Sequence, residues 1–239
     1  MKFFDEYVNN YDMSIPEINY KYYHSYRVMD NIAVIAKSMN LSICDVELAK
    51  CIGLLHDIGR FAQYEKFQSF DDSNLDHGDL GEEILRKEDA LKHFNVSEEN
   101  YEIVYKAIRY HNKYRIPNNL TKRELLFTKM IRDADKLDIV YAIGNDEIKS
   151  VIYEDDTEIR DRIKKAFFNN EQVVVNDKET KNEKIVVMFS FIYDINFNVS
   201  LLILKEKKYY QKIYERLHHK EMFKPYIEHI TNYINERID

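Results

Sequence analysis

Turn-forming residues are almost missing from this chain. Its 239 residues include five glycines, three prolines and no tryptophan. Glycine and proline are the strongest local punctuation of a polypeptide, and a fold of many short strands needs many of them. Long helices with few joints satisfy the pattern, so the expected fold class is all-α. The glycines are also unevenly placed. Gly53, Gly59, Gly78, Gly81 and Gly144 fall in the first two-thirds, four of them near His56 or His77. With 45% hydrophobic and 13% aromatic residues, the chain has an ordinary globular composition. Its length suits one large domain, or one domain with an extension.

Charge removes several function classes. The formal net charge is −7, which provides no general basic surface for a nucleic acid polymer. Any phosphorylated substrate must be drawn in by metal cations or by local Arg and Lys side chains. Met1-Lys2-Phe3-Phe4-Asp5-Glu6 carries an acid pair where a signal peptide needs apolar residues. The longest apolar stretch, Ile185 to Ile195, is interrupted by Ser190 and Asp194 and is too short to span a bilayer. Cys44 and Cys51 lie on one face of an expected helix, too far along its axis to bridge. Two reduced thiols, no membrane and a cytoplasmic location are the expectations.

Apolar periodicity orders the chain into helices. In Ile15 to Met39, the residues His24, Val28, Ile32, Ile35 and Met39 recur at steps of three and four, so His24 extends the inward row. A second helix, about Asp45 to Ile58, ends near Gly59 and carries the adjacent pair His56-Asp57. Phe61 to Leu75 reads as a polar, aromatic loop around Asp71-Asp72-Ser73-Asn74, placed to act as a lid. A short helix from Asp76 to Arg86 puts His77 on a face with Leu80, Gly81 and Ile84. Ser97 is the expected N-cap of the next helix, along which Val104, Ile108 and His111 share a row. Pro117 and Asn118-Asn119 break the chain. Thr121-Lys122-Arg123-Glu124 then reads as a capping box, followed by a helix with Thr128, Ile131, Asp135 and Asp138 near one side.

Beyond Ile148 the signals are plainer. Thr157 to Phe168 is amphipathic and helical, and Gln172 to Asn182 is a polar link. Ile185 to Ile195 fits a buried helix or a strand. Ser200 to Leu217 and Met222 to Arg237 read as helices. No repeat or linker divides the chain, so 1–239 is expected to form a single helical domain.

Six polar residues therefore fall on inward faces: His24, His56, Asp57, His77, His111 and Asp135. A lone histidine in an apolar row is usually a core residue with a hydrogen-bond partner. Four of them with two acids are hard to satisfy by hydrogen bonds alone. Imidazole and carboxylate together suit Fe, Mn, Zn or Co without selecting among them. His93, His218, His219 and His229 sit in charged surroundings and read as solvated.

The order His24, His56-Asp57, Asp135 resembles the HD superfamily of metal-dependent phosphohydrolases. Leu54-Leu55-His56-Asp57-Ile58-Gly59 and Asp133-Ala134-Asp135-Lys136-Leu137-Asp138 have forms typical of that family. His77-Gly78-Asp79-Leu80-Gly81 and Ile108-Arg109-Tyr110-His111 resemble its two-metal branches, although Asn112 stands where the HD-GYP group has a second histidine. Arg115-Ile116-Pro117 also replaces that group's Gly-Tyr-Pro element, which argues against a cyclic-di-GMP phosphodiesterase of that type.

The resemblance covers about 20–145 and implies an HD-domain helical bundle, with additional helices over about 150–239. It implies two divalent ions, the first held by His24, His56, Asp57 and Asp135. Asp57 would bridge to the second, held also by His77 and His111. A water shared by the ions would then act as the nucleophile on a phosphate ester or anhydride. Arg60, where relatives carry a Lys, is the first choice for a phosphate contact beside the catalytic Asp57, with Asn112 and Lys113 next. Lys136 and Arg27 are placed for pairing with acids, and Asp133 and Asp138 for supporting ligands.

A small phosphorylated substrate, a nucleotide in chemical class, is the implied partner, and a homodimer through the acidic, aromatic second half is left open. Two alternatives share the ligand set: a mixed-valent diiron oxygenase of the HD fold, and a non-catalytic nucleotide-binding protein.

Overall fold

Helix α1 (Lys2–Val8) is followed by α2 (Pro16–Ser38) and α3 (Ile43–Leu55), which pack side by side. The computed structural model describes residues 1–147, 154–174 and 179–238. Among these residues there are helices and no strand. The described chain divides into two compact units, Met1–Asp135 and Lys136–Asp239.

In the first unit, α2 buries the row His24, Val28, Ile32 and Ile35 against α3. Every α3 side chain from Leu48 to Leu55 is buried apart from Lys50, so the second half of this helix is enclosed on nearly all sides. Its start is fixed by Ser42, whose hydroxyl accepts from the Asp45 amide at 3.1 Å. Gly53 permits the close approach of α2, since a Cβ there would stand 2.8 Å from Met29 Cα. α4 (Ile58–Phe67), α5 (His77–Lys87), α6 (Tyr101–Tyr110) and α7 (Lys122–Gly144) complete the elements that build the site.

Four expectations need correction here. The helix carrying His56 stops at Leu55, and α4 restarts at Ile58, so His56-Asp57 forms a corner between two helices. Phe61 to Phe67 accordingly belongs to α4 and is not loop; the true loop is 68–76. Gly59 also does not end a helix. A Cβ there would lie 2.3 Å from the His77 carbonyl oxygen, so its absence lets α4 and α5 touch. Ser97 is the fourth. It makes no side-chain cap, and a short 3-10 turn at Glu98–Asn100 precedes α6. Asp76, by contrast, caps α5 through the Gly78 and Asp79 amides. The Thr121–Glu124 box is closed in both directions, at 2.7 and 3.3 Å.

The second unit contains the end of α7, then α8 (Asp161–Phe168), α9 (Lys181–Phe189), α10 (Asn198–Lys207), α11 (Tyr209–Arg216) and α12 (Lys220–Ile238). Ile185 to Ile195 resolves as helix plus a 3-10 turn at Ser190–Asp194, not a strand. Ser200 to Leu217 is two helices, divided at Lys208, whose φ of 53° is left-handed. Part of the expected polar link, 175–178, lies outside the described residues. Its end instead nucleates α9, where Thr180 and Glu183 form a capping box. No helix among the described residues is long and apolar enough to cross a membrane.

Candidate metal centre

All six inward polar residues come together within the first unit. His24 projects from the middle of α2 and Asp135 from α7, while the other four stand at helix ends. His56 is the residue after α3, Asp57 precedes α4, His77 opens α5 and His111 closes α6. An aspartate before a helix normally accepts from the first-turn amides. Asp57 makes no such cap, and its carboxylate turns into the core instead. His24, His56, Asp57, His77 and His111 are each at most 2% exposed. The Asp135 side chain is 16% exposed, so solvent reaches the cluster along its edge.

The histidines meet nitrogen to nitrogen. His24 Nε2 and His56 Nε2 are 3.2 Å apart, and His77 Nε2 and His111 Nε2 are 3.0 Å apart. Three of these rings have a defined tautomer. His56 Nδ1 lies 2.8 Å from the Gly53 carbonyl and His111 Nδ1 lies 2.6 Å from the Ile108 carbonyl. Carbonyls only accept, so each Nδ1 carries a proton, and in the neutral ring each Nε2 presents a lone pair. His77 Nδ1 likewise donates to Asp72 Oδ1 at 2.7 Å. With the rings neutral, nitrogen lone pairs point at one another in a buried space.

Carboxylate oxygens enter the same space. Asp57 Oδ2 lies 3.4 Å from both His24 Nε2 and His56 Nε2. Asp57 Oδ1 lies 3.3 Å from His77 Nε2 and 3.6 Å from His111 Nε2. Asp135 Oδ1 lies 3.2 Å from His24 Nε2 and 3.6 Å from His56 Nε2. Acceptors facing acceptors repel unless a cation stands among them, and a nitrogen–oxygen set of this kind is what a divalent transition metal takes. Among the described residues, two three-residue groups have the required convergence: His24, His56 and Asp135, and His56, Asp57 and His111.

The carboxylates and imidazoles of the cluster also shift one another's protonation. Burial raises a carboxyl, yet Lys21 and His56 hold Asp57 well below the usual range. Burial likewise opposes the ionised Asp135, which His24 and His56 nonetheless hold well below that range. His111 is pushed down to about 4 by burial, with His77 and His56 adding to it, so its imidazole is neutral at pH 7. For His56, burial works downward and the Asp57 and Asp135 carboxylates outweigh it.

Each expected substrate contact has protein partners. Arg60 donates through Nη1 to Gln63 Oε1, the Phe70 carbonyl and Asp72 Oδ1. Asn112 Nδ2 donates to Asp76 Oδ2 at 3.0 Å. Lys113 pairs with Asp76 and Asp79. Lys136, as expected, pairs with an acid, Asp194, at 2.7 Å. Cys44 and Cys51 are both free thiols.

Three supporting residues escaped the sequence reading. Lys21 Nζ lies 2.5 Å from Asp57 Oδ2, one helical turn before His24. Asp72 holds His77. Arg132, 2% exposed, donates through Nη1 to the carbonyls of Tyr110, His111 and Lys113 and so binds the end of α6. Lys21 had a usable signal, the three-residue spacing from His24; the other two required knowledge of the fold.

Residues 22–140 match the HD domain family, a span that contains all six site residues, and the chain belongs to that family. The family is one of metal-dependent hydrolases, and divalent metal binding goes with it. No curated protein and no solved structure matches the chain.

Proposed function

We propose that the protein is a dinuclear phosphohydrolase that acts on a small phosphorylated compound, a nucleotide being the expected class. One observation carries the reading: the two oxygens of Asp57 divide between two histidine pairs, Oδ2 toward His24 and His56, Oδ1 toward His77 and His111. A carboxylate shared in this way is suited to bridge two cations. Asp135 would complete the first ligand group. Divalent ions held here would lower the pKa of a water toward neutrality and neutralise charge on a phosphoryl group.

The protein's own contribution is positioning. The Gly53 and Ile108 carbonyls keep the protons of His56 and His111 on Nδ1, and Asp72 does so for His77, leaving the Nε2 of these three rings as a ligand atom. Burial of five of the six residues excludes bulk water and strengthens each electrostatic contact. Arg60 supplies positive charge beside Asp57, its Nε 3.8 Å from Oδ1.

The test is direct. Purified protein loaded with Mn or Fe, with ion content measured, is offered a panel of nucleotides and an aryl phosphate. Phosphate release is expected. No turnover across the panel with two ions bound per chain overturns the reading.

A further inference from the structure

We propose that Lys21 and Arg60 act as a pair that reads the substrate's phosphate, and that the pair selects a terminal, doubly charged phosphate over a phosphodiester. This rests on the phosphohydrolase reading above. Lys21 and Arg60 approach Asp57 from opposite oxygens. Lys21 Nζ is 2.5 Å from Oδ2, and Arg60 Nε is 3.8 Å from Oδ1. Both cations lie over one aromatic ring, that of Phe70, at 5.6 and 5.5 Å from its centre. Their side chains are 14% and 13% exposed. They therefore stand at the rim of the buried cluster, where a ligand can arrive.

Each cation keeps donor capacity for that ligand. An ammonium has three N–H groups, and Lys21 spends one on Asp57. Arg60 is anchored through Nη1 and Nη2 to the 63–72 segment. Its Nε is buried and has no hydrogen-bond partner among the described residues. A buried donor without an acceptor is unfavourable and rare, and an incoming phosphate oxygen would satisfy it. The anchoring means that Arg60 presents this N–H without first having to be ordered.

Charge sets the preference. A terminal phosphate brings two negative charges and unesterified oxygens for two cations. A diester brings one charge and a second substituent, so it offers the two cations less charge and fewer unesterified oxygens.

The experiment compares wild type with Lys21→Met and Lys21→Gln. Glutamine keeps a donor for Asp57 and removes the charge. Three quantities are read for each: ions bound per chain by elemental analysis, the Kd of inorganic phosphate by calorimetry on the metal-loaded protein, and kcat/KM for an aryl phosphate monoester and an aryl diester. Unchanged ion content is expected in both variants, with phosphate affinity weakened roughly tenfold or more, the scale of one lost charge-assisted contact. Monoester kcat/KM falls by a similar factor, and diester kcat/KM falls much less. Should Lys21→Met not fold, Lys21→Gln carries the comparison alone.

Wild-type phosphate affinity in Lys21→Gln would mean that Lys21 only orients Asp57, and the proposal fails. It fails equally if ions are lost together with phosphate, or if monoester and diester rates fall in parallel. Those failures leave the hydrolase reading standing. A wild-type protein that takes up no divalent ion removes both.

Discussion

His77 and His111 face each other nitrogen to nitrogen at 3.0 Å, from the first residue of α5 and the residue that closes α6. Both rings have committed their Nδ1 protons, to Asp72 and to the Ile108 carbonyl. Two lone pairs held this close in a buried site lower the energy of a cation placed among them. Replacement of His111 with Ala removes one of the two. Ion content is expected to drop by about half, since ligand loss at one site leaves His24, His56, Asp57 and Asp135 in place. Elemental analysis alongside phosphate release checks this; a variant that keeps full ion content argues that His111 is not a ligand.

Asp72 gives a subtler handle on the same ion. Its Oδ1 accepts from His77 Nδ1 and from Arg60, and the buried Gln63 amide donates to it at 3.1 Å. Asp72→Asn keeps the shape and loses the charge that fixes His77. Roughly 10–100-fold weaker binding of one ion is expected, the usual cost of losing an outer partner. Metal titration with a competing chelator measures it, and equal affinity in the variant would refute the coupling.

Gly59 tests the geometry rather than the chemistry. A Cβ at this position meets the His77 carbonyl at 2.3 Å and the Gly81 nitrogen at 2.9 Å. Both obstacles are backbone, which cannot rotate away. Gly59→Ala is expected to cost about 1–3 kcal/mol, as other overpacked cores do, and to lower the thermal midpoint accordingly. Because the clash pushes on His77 itself, ion uptake should suffer as well. An Ala variant with wild-type midpoint and ion content would show that α4 and α5 are not locked by this contact.

His24 and His111 were legible in the sequence because each stood in line with an apolar row. A histidine in register with Val28 and Ile32, or with Val104 and Ile108, cannot face solvent without exposing that row. The corner at His56-Asp57 was not legible. Ile52, Leu55 and Ile58 keep helical spacing straight through it, and the break exists only because Asp57 adopts φ −103° and ψ 16°. Asp72 lay hidden in Asp71-Asp72-Ser73-Asn74, whose composition describes a turn and says nothing about which carboxylate turns inward. Ile185 to Ile195 remained ambiguous for a related reason: a fully buried helix and a buried strand are both apolar all round.

Arg132 is the clearest case of a role set by tertiary structure. On its own helix it is one more cation; folded, it gathers three carbonyls at the end of α6 at 3.1, 3.1 and 2.5 Å. Those carbonyls have no amide of a following turn, and the positive charge meets the negative end of the helix. Arg132→Met leaves them buried without this donor. A loss on the order of 3 kcal/mol is expected from such desolvated acceptors. Chemical denaturation measures it, and Arg132→Lys should recover part of it through a single ammonium. A Met variant as stable as wild type would show that the clamp carries no weight.

The second unit offers a test that does not involve the metal centre. Glu183 accepts from Arg160 Nε at 2.6 Å, from the Arg160 amide and from the Thr180 amide, each at 3.0 Å. These bonds, Arg160 first, hold its carboxyl down to about 2 against an ordinary 4.5, although burial pulls the other way. A depressed carboxyl stabilises the fold fully above its unfolded value, and that stabilisation disappears as pH falls from 4.5 toward 2. The exposed guanidinium limits the effect to on the order of 1–2 kcal/mol. Glu183→Gln should therefore be less stable than wild type at pH 7, with the gap closing as pH falls through that window. Urea midpoints of the two proteins at neutral and acidic pH measure the gap; a difference that stays constant with pH would mean that the capping geometry, not the charge, supplies the stabilisation.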